Sequence, residues 1–178
     1  MSQQIIGIVG RAGCGKTTLR NYIAQKHGFH ILPFAKPLKT MLHVLGLTSK
    51  QTDGTLDDKN LPCDLLQGKS PRWAMQSLGS DWGRNLIGED LWVDLWQKGI
   101  GRHTKIIVDD IRFPNEIARI HKLGGITIRI RRLKSEQNTE MHESERHFLS
   151  LPVTHELQNN ASLQDLFLEF EKLNLIKE

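Results

Sequence analysis

At 178 residues, 38% of them apolar and 25% charged, the chain has the length of one globular domain, and it has neither the composition of a disordered chain nor an apolar run able to span a bilayer. Two cysteines, Cys14 and Cys63, make no disulfide framework, and no basic lead-in to a signal peptide opens the chain, so a reducing cytoplasmic setting is expected. The net charge of +4 is uneven: +4 over residues 1–99, +6 over 100–134 and −6 over 135–178, a basic block and acidic tail that raise a nucleic-acid reading.

The β-branched run Gln4 to Val9 predicts a short buried strand. Thr17 to His27 predicts a helix with Leu19, Tyr22, Ile23 and Ala24 inward, stopped by Gly28. Phe29 to Leu32 is a second strand, and Pro37 opens a helix to about Leu45. Residues 46–70, with Gly46, Gly54, Pro62 and Gly68, read as a loop region. Helices follow over Pro71 to Gly79 and about Leu91 to Lys98. Lys105 to Asp110 is a strand, Pro114 to Leu123 a helix, and Thr127 to Arg131 a strand that alternates isoleucine with polar residues. Residues 132–150 are highly charged and read as a mobile arm. Leu157 marks a short last strand, and Ser162 caps a terminal helix with Leu163, Leu166, Phe167 and Phe170 on one face. Strands and helices alternate, so the expected fold class is α/β with a parallel sheet.

Gly10-Arg11-Ala12-Gly13-Cys14-Gly15-Lys16-Thr17 matches the pattern G-x-x-x-x-G-K-[ST] between a predicted strand and helix. Glycines let backbone N–H groups converge on phosphate oxygens, and the helix N-terminus favours negative charge. Lys16 is expected on the β- and γ-phosphates and Thr17 on Mg²⁺. The motif implies a nucleoside triphosphate but not the fate of its γ-phosphate. Cys14 reads first as a small packing residue and second as a reactive thiol. Further along, Ile106-Ile107-Val108-Asp109-Asp110 ends an apolar strand in two acids, which suit either a metal and substrate site or a solvated turn before the next helix. Arg112 follows. Arg72 and Gln76 lie at i, i+4 on one helix face, fit for a phosphate and a base edge or for an exposed polar face. The histidines His142, His147 and His155 lack the spacing of a zinc site.

In their order, GRAGCGKTT, FAKPLK, SPRWAMQSLGSDWGR, GEDLWV, IIVDDIRFPNE, LGG, HESE and LQNNASLQDL make the chain resemble the bacteriophage deoxynucleoside monophosphate kinases, within the P-loop nucleoside monophosphate kinase superfamily. The resemblance covers nearly the whole chain. It implies a P-loop kinase fold over 1–178, with a central parallel sheet, helices on both faces, a monophosphate-binding region at about 35–100 and a lid at about 132–150. It implies transfer of the γ-phosphate of ATP to a deoxynucleoside monophosphate, with Mg²⁺, in support of DNA precursor synthesis. By position, Lys16, Asp110, Arg112 and Arg132 become catalytic. Gly10, Ala12, Gly13, Cys14, Gly15, Lys16, Thr17, Thr18 and Asn159 become ATP-binding, Asn159 at the adenine end. Lys39, Arg72, Gln76, Asp110, Arg112, His142, Ser144 and Glu145 become acceptor-binding. Trp92 joins them or serves the core.

Departures from the family pattern lie at Thr17 and Thr18, where relatives often carry Asp then Thr, and at Leu133, Thr154 and Ala161. Which hydroxyl meets the metal stays open, with Thr17 favoured by the general motif. The expected partners are small nucleotides, with no nucleic acid and no membrane, and the resemblance allows a homodimer. The rival readings are a kinase of another acceptor, of dephospho-coenzyme A or phosphomevalonate type, and a nucleic-acid-binding ATPase. A phage-encoded protein of this kind would work in the host cytoplasm.

Overall fold

The computed structural model describes residues 3–133 and 150–176. The chain divides into two compact units, one of residues 1–33 with 100–178 and one of residues 34–99.

The first unit is built on five strands: β1 (Gln4–Val9), β2 (His30–Ile31), β3 (Lys105–Val108), β4 (Ile126–Arg131) and β5 (His155–Gln158). They lie in the order β2-β3-β1-β4-β5, every pairing parallel. Among the described residues three helices belong with them: α1 (Lys16–His27), α7 (Pro114–Lys122) and α8 (Leu163–Lys172). Strand alternation sends Ile6, Ile8, Ile107, Ile128, Ile130 and Leu157 into one core with Leu19 and Ile23 of α1 and Leu166 and Phe170 of α8. The opposite face carries Gly7, where an added Cβ would stand 2.9 Å from the Ile120 side chain of α7 and 3.1 Å from Thr127. Helices therefore cover both faces, as parallel sheets require. The register sets Arg129 opposite Glu156, and Arg129 donates to the Glu156 carboxylate and to Leu151 O, each at 2.5 Å. Thr154 Oγ1 donates to Thr127 O at 2.6 Å, so its hydroxyl serves the β4 backbone. Strand order reverses at β1, between β3 and β4. In open α/β sheets, ligands bind outside the carboxyl ends of the strands at such a point.

At the far end of α1, Glu171 of α8 accepts hydrogen bonds from Tyr22 (2.7 Å), Lys26 (2.9 Å) and His27 (2.8 Å). Burial pushes the Glu171 carboxyl up, but these three bonds outweigh it and hold its pKa at about 2, below the ordinary 4.5. A carboxylate with a lowered folded pKa stabilises above its unfolded pKa and loses that contribution as pH falls through the folded one. Glu171→Gln is thus expected to cost about 1–2 kcal/mol at pH 7, after discounting for a side chain one-third exposed. Parent and variant should converge between pH 4.5 and about 2 in urea unfolding. A constant gap across that range would remove the cluster from acid stability.

The second unit is helical: α2 (Lys36–Val44), α3 (Ser49–Asp53), α4 (Leu56–Asn60), a 3₁₀ turn at Asp64–Leu66, α5 (Pro71–Gln76), a π-helix at Ser77–Ile87 and α6 (Leu91–Ile100), whose last residue passes into the first unit. Two expectations are corrected here. Residues 46–70 are not simply a loop, because Thr48 with Gln51 and Thr55 with Asp58 form capping boxes that start α3 and α4. The helix from Pro71 does not stop at Gly79 but widens into eleven π-helical residues. The cause is Trp92: its indole N–H donates to Gly79 O at 2.7 Å, and its ring lies so close to Gly83 that an added Cβ would stand 2.5 Å away. A wide turn with glycine at the contact accommodates the indole.

Candidate functional site

The phosphate-loop motif lies directly after β1 and runs into α1. Gly15 takes φ 107° at the helix start, and an added Cβ would stand 2.6 Å from Asn159 Nδ2. Among the described residues no side chain caps α1 and no acid lies in its first turn, so the positive end of its dipole faces the loop uncompensated by a carboxylate. The Lys16 ammonium donates to Gly10 O at 2.6 Å and Arg11 O at 2.8 Å, which lays it along the loop. Ala12 and Gly13 are exposed on the loop, and Cys14 is fully buried in the sheet core. Burial raises the Cys14 thiol pKa, opposed by the Lys16 charge, so Cys14 is a packing thiol and not an activated one.

Asn159 follows β5. Its backbone N–H donates to Arg131 O at 2.8 Å, and its buried side-chain amide donates to Cys14 O at 2.8 Å. It thus ties the end of the sheet to the loop. Arg132, just past β4, donates to Gly13 O at 3.2 Å.

The two acids after β3 separate in role. Asp109 is buried, and Thr17 Oγ1 donates to its Oδ2 at 3.4 Å. Arg20 Nη1 stands 3.1 Å from each Asp109 oxygen. Thr18 makes no such contact among the described residues. The Thr17 hydroxyl and the Asp109 carboxylate are hard oxygen donors at the helix start, which is the donor set a Mg²⁺ ion takes while keeping water and phosphate as its other ligands. Asp110 is half-buried beside it. Arg112 is exposed, and its guanidinium has no partner among the described residues. Its backbone is anchored, because the buried Glu116 carboxylate accepts from the N–H groups of Arg112 (2.7 Å) and Phe113 (3.0 Å) at the start of α7.

Sequence reasoning offers Asp109 only as one of two candidate acids and leaves Arg20 and Glu116 without a role. A sequence signal exists for two of them. Asp109 is the first acid after the apolar strand, and Glu116 falls three residues after a helix-start position. Arg20 has only its i+3 spacing from Thr17.

In the second unit, Lys39 donates to Asp53 Oδ1 at 2.6 Å. Burial raises the Asp53 carboxyl, but bonds from Lys39 and Thr52 outweigh it and hold its pKa below the ordinary carboxylate value. The His43 ring nitrogen meets Thr52 Oγ1 at 2.8 Å, so α2 and α3 share one polar chain. Arg72 is half-buried and Gln76 exposed on α5, both side chains without partners among the described residues. Trp92 is buried, with its only polar atom spent on Gly79 O. His142, Ser144 and Glu145, with residues 134–149 of the expected lid at about 132–150, lie outside the described residues.

A family model described as deoxynucleotide monophosphate kinase matches residues 64–169. A protein of Acanthamoeba polyphaga mimivirus that carries the name of a deoxynucleotide monophosphate kinase is 32% identical over 182 aligned residues, covering 92% of each chain. The deoxynucleoside-5'-monophosphate kinase of Escherichia phage T5 is 29% identical over 98 residues, covering 51% of this chain and 39% of that one. Among solved structures, TT1252 from Thermus thermophilus aligns at TM-score 0.52 and 17% identity, over 99% of this chain and all of that one. Shikimate kinase from Bacteroides thetaiotaomicron aligns at 0.53 and 10% identity, over 96% of each. These two establish a shared fold.

Proposed function

The chain belongs to the deoxynucleotide monophosphate kinase family, and we propose that it moves the γ-phosphate of ATP onto a deoxynucleoside monophosphate through the loop of Lys16 and Thr17. It is a phosphotransferase acting on small nucleotides, built on a P-loop kinase fold. The observation that carries the donor-site reading is the gathering of Lys16, Thr17, Asp109 and Arg132 around one loop, each in contact with it or with its helix.

An oxygen of the acceptor phosphate attacks the γ-phosphorus, the bond to the β,γ-bridging oxygen breaks, and ADP leaves. Positioning and charge cancellation do most of this work. Lys16 neutralises the β- and γ-phosphates, and Arg132 adds a cation on the Gly13 side of the loop. Thr17 and Asp109 are the oxygens that would hold Mg²⁺, which when bound spreads the charge of the transferring group. Asp110 orients the acceptor and Arg112 takes its phosphate, because Arg112 offers a fork that is unpaired among the described residues, on an anchored backbone. Arg72 and Gln76 recognise the acceptor as well. Lys39 does so after giving up Asp53. We assign Asn159 to the loop it holds, rather than to adenine.

The fate of the basic block supports small anions over a polymer. Arg129 is spent on Glu156 and Leu151, and Lys105 stands over the Phe29 ring at 5.9 Å. Among the described residues, no helix is long and apolar enough to cross a membrane.

The test is an ADP-release assay with all four deoxynucleoside monophosphates, dephospho-coenzyme A and phosphomevalonate. At least one deoxynucleotide should be phosphorylated, with no stimulation by DNA. Turnover of one of the other two acceptors alone would overturn the substrate assignment.

A further inference from the structure

Asp109 has one carboxylate and two neighbours that want it. Its side chain is 9% exposed, and Arg20 Nη1 stands 3.1 Å from both of its oxygens. Thr17 Oγ1 reaches Oδ2 at 3.4 Å. The rest of the Arg20 fork is occupied, since Nε (3.2 Å) and Nη2 (2.9 Å) both face Asn21 Oδ1. That contact fixes the guanidinium plane and leaves Nη1 as the atom turned to Asp109. A nearly buried carboxylate without a cation is costly, and Arg20 is the cation that the fold sets against Asp109. A nitrogen midway between two carboxylate oxygens also covers the edge that a metal, or its bound water, would use.

We infer that Arg20 is a positioning residue that sets the metal demand of the site. It holds Asp109 while the cation is away and competes for the same oxygens when the cation arrives. This rests on the reading of Thr17 and Asp109 as the metal-side oxygens. By linkage, the cation weakens the Arg20–Asp109 contact by the factor by which Arg20 weakens cation binding. Arg20 lies outside the phosphate-loop motif. One turn of α1 brings it back onto the face that carries Lys16 and Thr17.

The test uses the full chain with ADP and Mn²⁺ as a spin probe, free Mn²⁺ being read by electron paramagnetic resonance. Arg20→Met should bind Mn²⁺ about fivefold tighter in the ADP complex, the low end of ordinary site coupling, and should melt lower without nucleotide. Arg20→Lys, a point charge without the planar fork, should tighten it by about twofold. In an Asp109→Asn background the Arg20 effect should vanish. Unchanged or weaker Mn²⁺ binding in folded Arg20→Met overturns the inference, and if that variant does not fold, the same outcome in Arg20→Lys does so. If Asp109→Asn alone leaves Mn²⁺ binding untouched, the metal-side reading fails, and this inference with it.

Discussion

Replacing Lys16 by alanine is expected to lower kcat by about a thousandfold, roughly 4 kcal/mol at the transition state, while the fold persists. On the proposed reading the Lys16 ammonium is the charge the loop brings to the transferring phosphoryl group, where a preorganised cation is worth most. It lies on Gly10 O and Arg11 O at 2.6 and 2.8 Å, within the loop. Those carbonyls are only partly buried, and water can replace the lost donor at a cost of about 1 kcal/mol. Turnover at saturating substrates and a thermal melt check both halves. A folded Lys16→Ala protein within tenfold of the parent would remove Lys16 from the chemistry. Lys16→Arg should also stay impaired, because a planar fork does not fit where a point charge reaches between two phosphates.

The second large effect is expected at Arg112. Arg112→Ala should lower kcat/KM for the acceptor by about a hundredfold to a thousandfold, near 3–4 kcal/mol, and leave ATP-analogue binding within about twofold. The guanidinium is exposed and without a partner among the described residues, so its loss leaves no buried group stranded. The backbone stays in place because Glu116 holds the N–H groups of Arg112 and Phe113. Acceptor-varied kinetics and calorimetric titration of a non-hydrolysable ATP analogue separate the two effects. Equal damage to both would place Arg112 elsewhere. The two variants together divide the site into a donor side and an acceptor side, each with its own cation.

Much of the donor site was legible because it is local. Residues 10–17 are contiguous, and a strand, a glycine turn and a helix start are all encoded within a few residues of one another. The β1 and β3 runs, α1, α7 and α8 were legible for the same reason, being set by periodicity and caps. Where local rules failed, a distant side chain had intervened. The π-helix at Ser77–Ile87 depends on Trp92, whose indole meets Gly79 and Gly83 from another helix. The short α3 and α4 were hidden by the turn residues around them, although their capping boxes are in plain sight.

The sequence by itself determined that a phosphate-loop motif exists between a strand and a helix, and which family the chain resembles. Only the tertiary structure decided which of two adjacent acids meets Thr17. It placed Asp109 against α1, gave Asp109 the guanidinium of Arg20, and set Asn159 beneath Gly15. The reason is the parallel sheet. Its register pairs Gly7 with Val108 and Val9 with Arg129, residues about a hundred positions apart, and so brings the ends of β1, β3 and β4 together. A motif is written by neighbours in the chain, but the partner of a carboxylate is chosen by that register.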